Sequence, residues 1–119
     1  MTPFSHPERF IEMEIIVEKN PSQEKLQSLG VGKWPTWQKE VSVFPWTFHE
    51  QEIAYILDGE CVITPTGGAP VRFVKGDLVT FPAGLTASWE VKQPLHKHYK
   101  LDGNMLSQIF KRIVAKLKF

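Results

Sequence analysis

EIAYILDG at residues 52–59 and GDLVTFPAG at residues 76–84 decide how this chain folds. Each stretch joins a short β-branched or aromatic run to a glycine, at a backbone position where a side chain would clash. Gly59 and Gly76 are read as turning the chain between strands. Pro82 and Gly84 shape the entry into the next strand. Working outward, residues 71–74, 78–81, 86–91 and 96–101 read as strands, as do 61–64 and 52–57. Thr66-Gly67-Gly68-Ala69 supplies a hairpin, and residues 37–44 alternate in part. Residues 13–18 (MEIIVE) add a first strand. Turn signals every eight to twelve residues predict an all-β sandwich or barrel.

Two segments carry helical signals instead. Asn20 is read as a cap, with Pro21 at the first helical position and Gln23 three residues after the cap. Leu26 and Leu29 give this short N-terminal helix its apolar face, and Gly30 stops it. Near the C-terminus, Met105, Leu106, Ile109, Phe110, Ile113, Val114 and Leu117 recur at helical spacing, with Asn104 as cap. Lys111, Arg112, Lys116 and Lys118 lie toward the end of that amphipathic helix, where the dipole favours cations. The expected organisation is an arm over residues 1–12, a barrel domain over 13–102 and the helix over 103–119. That helix packs on the barrel or at a homodimer interface, in preference to a membrane surface.

Composition bounds the rest. The 119 residues suffice for one domain, and 42% hydrophobic with 23% charged residues excludes a disordered chain. A net charge of +1 gives no support to a nucleic-acid partner. With one cysteine, Cys61, no internal disulfide forms, and the expected compartment is the reducing cytoplasm. No apolar run reaches membrane-spanning length, and the first ten residues lack the pattern of a secretory signal. Four Trp and eight Phe are enough to line a pocket as well as fill a core.

The two glycine motifs and the stretch between them, about residues 34–101, resemble the cupin superfamily. The resemblance implies a jelly-roll barrel, or double-stranded β-helix. WPTW at 34–37, EIAYILDG, KGDLVTFPAGLTASWEV at 75–91 and KHY at 97–99 look like the small cupins grouped with the ureidoglycine aminohydrolase cupin domain and the ethanolamine-utilisation cupins. A metal-binding cupin carries two histidines one residue apart, a Glu four or five residues later and a third histidine after the PxG turn. Carried over, the Glu is Glu52. The first two histidine positions fall on Trp46 and Phe48 with the shorter spacing, or Pro45 and Thr47 with the longer, and the third falls on Ala87. One carboxylate cannot hold a transition metal tightly. The expectation is therefore no cofactor and a degenerate metal site. A displaced site, if there is one, consists of Glu52, His98 and His49, although His49 is out of phase with the inward face.

Strand parity sets Ala87, Trp89 and Val91 on one inward face and Glu52, Ala54 and Ile56 on another. The expected pocket is lined by Trp46, Phe48, Glu52, Ala87 and Trp89. His98, Tyr99 or Lys97 join it from the last strand, where His96 and His98 share a face. A carboxylate in an apolar barrel needs a raised pKa, a Lys or His partner, or water. Glu52 is thus the candidate catalytic residue, for proton transfer or for holding an amine-bearing ligand. Three classes of function stay open: a metal-independent binder of a small molecule; an enzyme, either a general acid–base catalyst using Glu52 or, as the resemblance implies, an aminohydrolase-like one acting on a ureido or amino compound; or a non-catalytic scaffold.

Overall fold

A computed structural model describes residues 14–104. The expected arm and the body of the C-terminal helix lie outside them. Seven antiparallel strands form the fold: β1 (Ile16–Glu18), β2 (Thr36–Lys39), β3 (Ser42–Thr47), β4 (Glu50–Pro65), β5 (Val71–Val74), β6 (Leu78–Phe81) and β7 (Thr86–Asn104). Helix α1 (Gln23–Leu29) and a 3-10 turn (Val31–Lys33) lie between β1 and β2.

The two long strands, β4 and β7, pair along most of their length and are shared by two sheet halves. In one half, β6 pairs with Glu52–Tyr55 of β4, β1 pairs with β6, and β2 pairs with residues 95–98 of β7. In the other, β5 pairs with residues 60–63 of β4 and β3 pairs with residues 86–91 of β7. Asp58-Gly59 is therefore not a turn between two strands. It is a bulge within one strand, where the register shifts between Ile56 and Cys61 as the chain passes from one half to the other. Gly59 is required twice over at that point. Its φ is +103°, and a Cβ there would come within 2.8 Å of the Leu95 Cα on β7.

Gly76 does make a tight turn, at φ +94°, between β5 and β6. The buried Asp77 carboxylate secures it by accepting from the Val74 amide at 2.9 Å and from Lys19 Nζ at 2.8 Å. The Pro82–Gly84 turn is clasped to the end of β3. Gly84 N donates to the Phe48 carbonyl at 2.6 Å, and Phe48 N donates to the Leu85 carbonyl at 2.8 Å.

Helix α1 starts two residues later than its sequence suggests. Asn20 takes a left-handed backbone (φ 46°), which an N-cap does not use. Ser22 caps instead, its hydroxyl accepting from the Lys25 amide at 3.1 Å. Leu26 is buried, and Gly30 ends the helix in the left-handed conformation.

Between the halves lies an aromatic core centred on Trp89. Its ring lies 5.6–6.2 Å from those of Trp37, Phe44, Phe48, Phe73 and Phe81. Phe48 and Phe81 stack at 4.7 Å, a contact worth about 0.5–1.5 kcal/mol beyond the burial of area.

Candidate functional site

The inner faces follow from strand parity. Glu52, Ala54 and Ile56 point inward from β4, and Ala87, Trp89 and Val91 from β7. Trp37 and Lys39 are two apart on β2, and Phe44 and Trp46 two apart on β3. All four border a cavity of about 590 Å³. Glu52 and Trp89 form part of its wall, and Lys97, Tyr99 and Leu101 on β7 complete it. Trp46 and Leu101 remain about half exposed, at 52% and 48%.

The most charged part of this wall is buried. Lys97 Nζ donates to Glu52 Oε2, and the two side chains are only 6% and 9% exposed. The same ammonium lies 4.8 Å from the centroid of Trp37 and 4.9 Å from that of Trp89, with Phe81 and Tyr99 at 5.9 and 6.0 Å. Lys97 is thus held by one carboxylate and a set of rings, a combination that stabilises a desolvated cation. Of the three ways Glu52 can tolerate its surroundings, the structure shows a lysine partner. An amine-bearing ligand for Glu52 is disfavoured for the same reason, since the protein's own amine occupies that place.

The expected lining residues separate into two groups. Trp46, Glu52, Trp89 and Tyr99 border the cavity. Phe48 and Ala87 do not border it: Phe48 is buried against Phe81, and Ala87, although on the same face as its cross-strand partner Trp46, is buried and carries only a methyl group. His98 does not join the cavity. In β7 the inward residues are Leu95, Lys97 and Tyr99, so His96 and His98 take the opposite face. His98 Nδ1 donates to the Trp34 carbonyl at 2.8 Å, tying the WPTW segment to β7 beside the Tyr99 N to Pro35 O bond at 2.9 Å. It borders a different groove, of about 430 Å³, with Leu26, Tyr55 and Leu57. His49 is exposed after β3. The Glu52, His98 and His49 set is therefore not assembled, and among the described residues no three His, Cys, Asp or Glu side chains are grouped to hold a metal.

Lys39 and Phe44 were the contributors that the sequence reading did not name. Phe44 has the parity of Trp46, and Lys39 that of Trp37, so alternation alone carries both signals. Cys61 lies on the same inner face and is fully buried, and that burial pushes its thiol up to about 12.

A seven-stranded antiparallel barrel with two shared long strands, a Gly-Asp turn and a PxG turn defines a cupin. The profile described as EutQ-like cupin domain matches residues 26–99, and the chain belongs to that family. Among solved structures it is similar to a DUF861 family protein from Thermotoga maritima, at 47% identity and a TM-score of 0.73. That match covers 75% of this chain and all of the other. It shares the fold, at 23% identity and a TM-score of 0.53, with a putative ethanolamine utilization protein Q from Salmonella typhimurium, covering 58% of this chain and 55% of that one. The Clostridium difficile EutQ protein matches at 19% identity and a TM-score of 0.52, covering 76% and 68%. None of the curated proteins matches the chain. No helix among the described residues is long and apolar enough to cross a membrane.

Proposed function

We propose that this cupin binds a small molecule in the cavity beside Glu52 and Lys97 without using a metal. One observation carries the reading: a concave, mostly aromatic wall opens at Trp46 and Leu101 and holds a buried charged pair within it. Ligand sites commonly combine an apolar lining with a few convergent polar groups, and volumes of 300–1,000 Å³ are typical. Where metal-binding cupins carry their histidines, this chain offers aromatic or small side chains, so the site suits recognition by ring contacts and hydrogen bonds.

The test is a fragment screen on the full chain, read by quenching of Trp fluorescence and by thermal shift. Leu101→Trp, which narrows the mouth, is expected to abolish the responses while leaving the fold intact. Responses equal in Leu101→Trp and wild type would overturn the assignment. So would about one transition-metal ion per chain in elemental analysis.

A second reading has the Glu52–Lys97 pair exchange a proton with the bound molecule, because the pair supplies both an acceptor and a donor at the cavity wall. It predicts that Glu52→Gln retains ligand binding and loses turnover of that ligand. Loss of both together would count against it.

A further inference from the structure

The polar groups of this cavity are mostly donors. Two ammonium groups, Lys39 and Lys97, share its wall with one carboxylate, Glu52. Glu52 and Lys97 neutralise each other. Lys39 has only the Phe44 ring, 5.0 Å away, and no carboxylate partner among the described residues. A cavity wall that carries an ammonium without a carboxylate partner favours a ligand that brings a negative charge.

Charge and shape narrow the occupant further. The position that would receive a cation, between Glu52 and the rings of Trp37 and Trp89, already holds the Lys97 ammonium. One positive charge is left over, at Lys39 beside the Phe44 ring, so the complementary charge is a single negative one. Trp89 is buried, with Phe44 stacked on it at 5.7 Å and the Lys97 ammonium 4.9 Å from its centroid, so the rings left to meet a ligand are those of Trp37, Phe44 and the half-exposed Trp46, which suit a planar body. A doubly charged phosphate calls for more than one surplus cation or a cradle of backbone amides. We propose that the cavity takes a small planar monocarboxylate, with its ring against Trp37, Phe44 and Trp46 and its carboxylate toward Lys39. This inference rests on the small-molecule reading above and adds the ligand class to it.

The experiment titrates benzoate, benzyl alcohol, benzylamine and phenyl phosphate into the full chain at neutral pH and low salt. Binding is read from the indole N–H resonances of Trp37 and Trp89 by NMR. Benzoate is expected to bind at least about tenfold more tightly than benzyl alcohol, with benzylamine weakest. Lys39→Gln should bring the benzoate to benzyl alcohol ratio close to one, and Lys39→Arg should restore it. Equal affinities for benzoate and benzyl alcohol would overturn the carboxylate assignment while leaving the small-molecule reading in place. Tighter binding of benzylamine or phenyl phosphate would overturn the charge argument in the same way. If none of the four compounds moves either indole resonance, the inference and the small-molecule reading fall together.

Discussion

Replacing Lys97 with methionine isolates the feature on which this barrel most depends. Methionine keeps the stem and its contact with the rings but removes the ammonium. Glu52, 9% exposed, is then left as a buried carboxylate without a counter-ion. Breaking a buried pair from one side costs about 3–5 kcal/mol. For a chain of this size, at ~4 °C per kcal/mol, the melting temperature falls by ~12–20 °C. Glu52→Gln should cost less, by roughly the 0.5–2 kcal/mol that a cation over aromatic rings retains, because Lys97 keeps Trp37 and Trp89 when its carboxylate is removed. The double variant Lys97→Met with Glu52→Leu removes both charges and should return to within about 1 kcal/mol of wild type, or exceed it. Urea unfolding followed by Trp fluorescence gives all three values and the coupling energy. A loss below about 1 kcal/mol for Lys97→Met, as for an exposed pair, would refute the reasoning. So would a double variant that costs the sum of the two single changes.

Four further outcomes follow from named contacts. In Lys97→Ala the ammonium position between Glu52 and the rings is vacated, so n-butylammonium should raise the melting temperature of the variant and leave wild type unchanged; equal shifts in both would contradict the cage. Gly59→Ala should be far more damaging than Gly76→Ala in chemical denaturation. The first drives a Cβ into the backbone of Pro94 and Leu95, while the second meets only the Asn20 side-chain oxygen at 3.0 Å, although both glycines have positive φ. Burial raises the Cys61 thiol to about 12 from its ordinary 9.0, so the unfolded chain loses that proton first. Stability present below pH 9 should decline by about 1.4 kcal/mol per pH unit as the pH rises toward 12, and a Cys61→Ala variant should lack that part of the slope. Dialysis against EDTA should leave the melting temperature unchanged, and a drop restored by a transition metal would contradict the donor set seen around Glu52.

The barrel was legible in the sequence because its signals are local. A glycine at a positive φ, a Gly-Asp turn and a PxG turn each depend on a few adjacent residues, and their spacing fixes the order of the strands. Gly59 was misread as a turn because a bulge and a turn make the same local demand for glycine. Only the approach of Pro94 and Leu95 from β7 separates the two. The site was legible wherever alternation alone set the face, as for Glu52 and Trp89. It was read ambiguously in the second half of β7, where Lys97, His98 and Tyr99 were all candidates, although the alternation of Ala87, Trp89 and Val91 continues unbroken through Leu95, Lys97 and Tyr99 and already sets Lys97 inward and His98 outward. The choice mattered chemically: a histidine facing Glu52 would have suggested a metal, whereas the lysine provides a counter-ion.

Crystallography of the full chain soaked with benzoate tests the central claim most directly. Density for a planar molecule against Trp37, Phe44 and Trp46, with its carboxylate at Lys39 and the Glu52–Lys97 pair intact, is the predicted result. A metal ion on Glu52, or a cavity holding only ordered water at saturating benzoate, would contradict it.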